Sequence, residues 1–392
     1  MRTLAVVKPS TWSLALSVML VACGDPPPPP EPLVLPPLPP EAVLVAPRAI
    51  SASVAFDLVD SAEGAVLAWG ASATQGAGLR VIGLDPQGSP RGTDVDVIEE
   101  PGGDPVIEEI SLARSGATVG VSWVERGPTP RIRAALTAGD VDGFGDPHDL
   151  GATEPADIAH PTRGRALLST IADGVLIASH RTPDAPCAST LGATCAHVSR
   201  TRLSSPSEAA RREDAMEVLS PCDTLLAGAI ATGGTWFYGV CQANPQPVTT
   251  IYAIRPALSF AAATPMLESC TAEGMIALDE RALVIGRCGG AMQLNVMDET
   301  GSITQHADAF TSAIQCVDGR PNITLTGAGT RIEIPLRGPR SGLAAALPSN
   351  IGPAGARAVW TGSALLVASQ MRSDVVVHRF ACREGEFIRT DS

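Results

Sequence analysis

Short runs of apolar residues, most of them preceded by a tight turn, recur about every fifty residues along this chain and limit its possible folds more than any other feature. In order they are Ala65-Val66-Leu67-Ala68-Trp69, Thr118-Val119-Gly120-Val121-Ser122-Trp123, Val175-Leu176-Ile177-Ala178, Thr235-Trp236-Phe237-Tyr238-Gly239-Val240, Ala282-Leu283-Val284-Ile285-Gly286, Arg331-Ile332-Glu333-Ile334 and Ala364-Leu365-Leu366-Val367-Ala368. A strand with one wet face alternates apolar and polar residues, whereas most of these runs do not alternate, which is the pattern of strands buried on both faces. Turns such as Ala62-Glu63-Gly64, Ser115-Gly116, Asp173-Gly174, Gly233-Gly234, Asp279-Glu280 and Gly327-Ala328-Gly329 make the runs second arms of hairpins.

Third strands are expected over 79–85 and 132–136. The turn Asp85-Pro86-Gln87-Gly88 and a strand over 94–98 complete a four-stranded unit. With 38 glycines and 34 prolines punctuating the chain, long helices are not expected; the one helix-compatible stretch is 205–218, read as a loop insertion. The expected fold is all-β: a β-propeller of seven blades of about fifty residues, stapled by disulfides. A β-sandwich pair is the alternative, and a solenoid requires a shorter, stricter repeat.

The N-terminus has a different grammar. Arg2 and Lys8 form a basic tip, residues 12–21 an apolar run too short for a comfortable membrane span, and Leu20-Val21-Ala22-Cys23 closes it just before a proline tract. This arrangement resembles the lipobox of bacterial lipoprotein signal peptides. The resemblance implies cleavage before Cys23, a diacylglycerol (and so palmitate-type acylation) on its sulfur, and, with Gly24-Asp25 following, the outer membrane, on its periplasmic or its outer surface. The alternatives are a soluble secreted protein and an uncleaved anchor. Residues 26–40 are dominated by proline and read as a polyproline II spacer, or else a ligand for a proline-binding domain. The expected organisation is a signal peptide over 1–22, a lipidated cysteine and tether over 23–46, and the propeller over 47–392.

Eight further cysteines in an exported chain suggest disulfides. Turns lie midway between Cys222 and Cys241 and between Cys270 and Cys288, so each pair is expected to meet across a hairpin. Cys187 and Cys195 would close a small loop, and Cys316 and Cys382 pair by exclusion. No CxxC motif occurs, which removes the zinc-ribbon and thioredoxin signatures.

A net charge of −13 argues against nucleic acid or anionic membrane surfaces as partners. Lys8 is the only lysine, so lysine chemistry is excluded from the chain after the signal peptide. Asp140, Asp142 and Asp146 alternate in a glycine-containing turn in the manner of calcium loops, but without the distal glutamate of an EF-hand. Calcium is the one candidate cofactor. Glu99, Glu100, Asp104, Glu108 and Glu109 form an acidic stretch that reads first as a solvated loop. His148, His160, His180, His197, His306 and His378 follow no metal-ligand spacing, and no GxSxG elbow is present. Thr232-Gly233-Gly234-Thr235-Trp236 resembles the tail of the sialidase Asp-box, with Ala231 where the aspartate belongs. Trp69 and Trp123 end equivalent arms and are expected in the core. The sequence thus points to a lipid-anchored envelope protein that binds or scaffolds a protein or glycan ligand. A glycan-processing or other hydrolytic enzyme and an outer-membrane assembly factor are the alternatives.

Overall fold

The computed structural model describes residues 43–44, 55–71, 78–97, 106–127, 129–137, 141, 143–152, 166–171, 174–181, 195–207, 210–219, 229–230, 236–242, 248–254, 264–268, 270–278, 281–288, 291–298, 302–327, 330–335, 347–348, 351, 355–371, 374–383 and 385–390. Every regular element among them is a strand. After β1 (Val43–Leu44), the first sheet runs β2 (Phe56–Ser61), β3 (Gly64–Ala71), β4 (Gly78–Leu84) and β5 (Pro90–Asp96). The second holds β6 (Val106–Ser115), β7 (Thr118–Arg126), β8 (Arg131–Leu136) and β9 (His148–Ala152), and the third β10 (Ala166–Ile171), β11 (Gly174–Arg181), β12 (Cys195–Leu203) and β13 (Arg211–Leu219). The fourth contains β14 (Ala229–Ile230), β15 (Trp236–Gln242), β16 (Val248–Ile254) and β17 (Thr264–Glu268), and the fifth β18 (Cys270–Leu278), β19 (Arg281–Cys288), β20 (Ala291–Met297) and β21 (Ile303–Ala307).

The last two sheets depart from this plan. The sixth has only β22 (Phe310–Val317), β23 (Arg320–Gly327) and β24 (Thr330–Pro335). The last is built from β25 (Arg357–Trp360), β26 (Leu365–Met371) and β27 (Asp374–Arg383), and both β1 and β28 (Glu386–Arg389) pair with β27. The chain is an all-β propeller, but the expectation of seven equivalent blades is corrected: five sheets are regular four-stranded blades.

Each regular blade is an antiparallel meander, and the predicted apolar runs are its second strands. Ala65, Val66, Leu67, Ala68 and Trp69 are all buried, because neighbouring sheets cover both of their faces. Side chains alternate along a strand, so Ala65, Leu67 and Trp69 pack with Leu366 and Ala368 of the last sheet, while Val66 and Ala68 pack with Val119, Val121 and Trp123 of the second. The next layer joins the second and third sheets through Val124, Ile132, Leu168 and Ile177, and a larger one joins the fifth, sixth and last through Leu283, Ile323, Leu325 and Val367. Fully burying one such side chain is worth about 1.5–3 kcal/mol, so these layers are the main source of stability.

Two local expectations are overturned. Arg211–Leu219, which overlaps the stretch read as helix-compatible, is β13, the outer strand of the third sheet, because its ladder with β12 outweighs the few tenths of a kcal/mol per residue by which Glu and Ala favour helix. In the sixth sheet the tight turn before the second strand is Asp318-Gly319, both at positive φ. The turn after Gly327 leads instead into β24, so Arg331–Ile334 belongs to a third strand.

The first sheet shows how turn chemistry sets the corners. Asp85 Oδ1 accepts from the N–H groups of Gln87 and Ser89, both at 2.8 Å, which holds the expected turn between β4 and β5. Gly64 and Gly174 open the second strands of the first and third sheets at φ 141° and 142°. A Cβ at either would lie 2.2 or 2.1 Å from the carbonyl oxygen of Leu84 or Leu203.

Candidate functional site

An inner strand has a free edge, and unpaired backbone groups there must find partners. In three successive sheets one polar side chain reaches across from an equivalent position, and in two of them it meets that need. Arg357, Asp57 and Ser111 stand opposite Ala368, Ala68 and Ser122 of the adjoining second strands, and each reaches into the next sheet around the ring. Arg357 Nε donates to Asp57 Oδ1 at 3.1 Å; the Leu112 N–H donates to Asp57 Oδ2 at 2.7 Å; the Leu168 N–H donates to Ser111 Oγ at 3.1 Å. In the third sheet the same position, opposite Ala178, is Leu167, whose side chain has no polar atom.

A second belt lies nearer the hairpin turns. Arg114 Nη1 donates to Asp60 Oδ2 at 2.9 Å, and the Gly174 N–H donates to Ser115 Oγ at 3.1 Å. Burial pushes the carboxyls of both Asp57 and Asp60 above the usual carboxylate range. Arg357 and the N–H donors Leu112 and Leu58 oppose that rise at Asp57, and Arg114 opposes it at Asp60. Both oxygens of Asp57 already accept hydrogen bonds, since the Leu58 N–H also donates to Oδ1 at 2.9 Å. This carboxylate is therefore committed to joining three sheets. Asp60 Oδ1 has no partner among the described residues, so Asp60 is the better placed of the two to hold a proton.

A third polar arrangement sits at the other end of the second strands. Trp123 Nε1 donates to Glu125 Oε1 at 2.9 Å, and Arg133, directly across the ladder from Trp123, lies 3.1 Å from Glu125 Oε2. The first sheet repeats the cross-strand pair as Trp69 and Arg80 but has Ala71 in the position of Glu125, and the Trp69 indole N–H lacks a partner among the described residues. Both tryptophans are core residues, as their placement predicts.

The sequence-predicted sites are reached only in part. Cys316 and Cys382 form a disulfide with Cα atoms 5.5 Å apart, joining the sixth sheet to the last. Cys270 and Cys288 are direct partners across the β18–β19 ladder. Cys195 and Cys241 lie on β12 and β15, while Cys23, Cys187 and Cys222 lie outside the described residues. So do Asp140 and Asp142; Asp146 is exposed between β8 and β9. Among the described residues no group of three His, Cys, Asp or Glu side chains could hold a metal ion. Of the acidic stretch, Glu99, Glu100 and Asp104 are outside the described residues, and Glu108 pairs with Arg126.

His148, His180, His197, His306 and His378 are on five different strands, and His160 is outside the described residues. His306 contacts Asn295 Oδ1 at 2.7 Å and Asp308 Oδ1 at 2.8 Å, and buried His378 contacts Arg389 at 2.7 Å through Nδ1. Sequence reasoning missed Asp57, Arg357, Asp60, Arg114, Glu125 and Arg133, because Asp57 and Arg357 are 300 residues apart and neither belongs to a motif. Aligning the repeats on their turns would have placed Arg357, Asp57 and Ser111 in nearly one column.

No protein-family model matches the chain, and no curated protein is similar to it. Among solved structures it is similar to a protein of unknown function from Dyadobacter fermentans, at 11% identity and TM-score 0.44, covering 89% of this chain and 97% of that one. It is also similar to the β-propeller domain of the trilobed protease from Pyrococcus furiosus, which has an open velcro topology, at 12% identity and TM-score 0.43, covering 86% and 98%. A sialidase from Trypanosoma rangeli in complex with the inhibitor DANA is similar at 8% identity and TM-score 0.39; 79% of this chain matches 57% of the sialidase.

Proposed function

We propose that this protein is a lipid-anchored binding or scaffolding module of the bacterial cell envelope, held at the outer membrane through Cys23. The observation that carries the anchor is the order of Ala22, Cys23 and a proline-dominated spacer ahead of a propeller. Acyl chains at about 0.8 kcal/mol per buried methylene make release from the bilayer negligible once two or more are present. A polyproline II spacer over residues 26–40 would reach roughly 45 Å at about 3.1 Å per residue. The binding reading draws on the inner strands: both oxygens of Asp57 are taken up by Arg357 and the N–H groups of Leu58 and Leu112, and Asp60 is paired with Arg114. The disulfide between Cys316 and Cys382 fits an oxidising compartment. Bridges from Cys270 to Cys288, Cys222 to Cys241 and Cys187 to Cys195 belong to the same reading, as does a protein or glycan as the ligand.

Intact mass and membrane fractionation of the native protein beside a Cys23→Ala variant test the anchor. The expected result is acylated Cys23 as the first residue, with membrane association lost in the variant. Unlipidated protein in the soluble fraction would overturn the reading and favour a secreted enzyme.

A further inference from the structure

The sixth sheet carries a polar, largely exposed face where the first and fifth sheets carry a buried apolar one. Two and four residues after Gly64 and Arg281, which close the tight turns of those sheets, stand Val66 with Ala68 and Leu283 with Ile285, all fully buried. Two and four residues after Arg320, which closes the turn of the sixth sheet, stand Asn322 and Thr324. Side chains alternate along a strand, so Ile323 and Leu325 point the other way, into the core with Ile332 and Ile334. Asn322 and Thr324 share their face with Ala313 and Gln315 of β22 and Arg331 and Glu333 of β24, and those four are exposed.

The middle of this face is preset. Arg331 Nη2 donates to Glu333 Oε1 at 2.9 Å, and Glu333 Oε2 accepts from Asn322 Nδ2 at 3.3 Å. A carboxylate only accepts, so it selects the NH2 end of the Asn322 amide and turns Oδ1 elsewhere. Among the described residues neither Asn322 Oδ1 nor the Thr324 hydroxyl has a hydrogen-bond partner, although the two residues are only 9% and 7% exposed. Buried polar groups left unmatched destabilise the fold, and a ligand that matches both offsets that cost.

Charge and shape define the ligand's class. Arg331 and Glu333 neutralise one another, and the turn end adds one charge of each sign, Asp318 and Arg320, which argues against a phosphate, an acid or an amine. The apolar side chains of β22 on this face are Ala313 and Val317, too little for the core of a protein interface. Donors and acceptors remain, about 5 Å apart across strands and about 7 Å apart along them, a pattern matched by neighbouring hydroxyls that both donate and accept. We propose that the Asn322 and Thr324 face of the sixth sheet binds a neutral saccharide. Its hydroxyls donate to Asn322 Oδ1 and bond to the Thr324 hydroxyl, and small Ala313, directly opposite Thr324, leaves room for a sugar ring. This site deepens the glycan reading proposed above and rests on it.

The test is methyl-detected NMR of the full chain, with alanine and threonine methyls labelled, titrated with tetrasaccharides of glucose, mannose and N-acetylglucosamine, and with inorganic phosphate and spermidine as charged controls. At least one tetrasaccharide should shift the Ala313 and Thr324 methyls saturably, while the charged probes leave them unmoved. Thr324→Val keeps the shape and removes a hydroxyl without a partner, so it should weaken that binding about fivefold, read at the Ala313 methyl, without lowering the melting temperature. Ala313→Gln, on the exposed strand, fills the approach and should abolish binding, read at the Thr324 methyl. Methyls unmoved by all three tetrasaccharides, binding that survives either substitution undiminished, or an equal response to phosphate or spermidine would each overturn the site. The titration does not use the anchor, so its failure is distinct from a failure of lipidation at Cys23.

Discussion

The first two sheets and the last two solve the same packing problem with different means. In the first pair the second strands are buried on both faces, inner strands are joined by Asp57, Asp60 and Arg114, and neither sheet contains a cysteine. In the other pair β22 alternates between half-buried and exposed residues from Phe310 to Val317, the sixth sheet has three strands, and Cys316–Cys382 crosses between the sheets. A strand with one wet face buries less apolar area, and a covalent bridge stands where that area is missing. The staple begins on a strand that no core layer covers from both sides.

Removing the bridge should break this contrast most strongly. Cys316→Ser with Cys382→Ser frees a link across 66 residues, and chain-entropy arguments put the loss at about 4 kcal/mol. Hydrogen exchange should rise in β22 to β28 and stay low in β2 to β8. Uniform loosening of all sheets would show that the two regions are not separable.

Asp57→Ala comes next, with about 2–4 kcal/mol lost, since it strands Arg357 and the Leu112 N–H together. Ser111→Ala, at the equivalent position, strands only the Leu168 N–H and should cost about 1–2 kcal/mol by denaturant unfolding. The tryptophans sharpen the comparison within the regular region. Trp123→Phe leaves Glu125 without its indole donor and should cost about 1 kcal/mol more than Trp69→Phe, whose N–H has no partner among the described residues.

The pH dependence follows from the raised carboxyl of Asp57. A group bound more tightly to its proton in the folded state contributes stability that is present below the ordinary value of 3.8 and lost as pH rises through the higher folded value. Asp57→Asn abolishes that loss, so its stability relative to the native protein should improve between pH 4 and neutrality in parallel denaturant titrations. A constant difference across that range would contradict the assignment. The smallest effect is a gain: Ala71→Glu supplies the first sheet with the carboxylate that Glu125 gives the second, and should add about 0.5–1 kcal/mol by satisfying Trp69.

How much of this was legible in the sequence varies with the physics. The runs at Ala65, Val119 and Leu365 announce strands buried on both faces because covering both faces requires an uninterrupted apolar string. The turn at Asp85 and the ladder of Cys270 against Cys288 are equally local and equally readable. The sixth sheet misled because Arg331-Ile332-Glu333-Ile334 alternates like any half-buried strand, and two glycine turns compete for the same hairpin. The polar belt was invisible for a deeper reason. Asp57 means little beside Phe56 and Leu58, and acquires its role only when ring closure brings Arg357 beside it.

Gly64 and Gly174 extend that lesson to the history such a chain can have. Each is fixed by the carbonyl of a third strand that passes where a side chain would begin, so every alternative residue is barred by geometry alone, whatever ligand the protein serves. Surface loops are free to drift until repeats no longer resemble one another, but these two corners cannot drift with them.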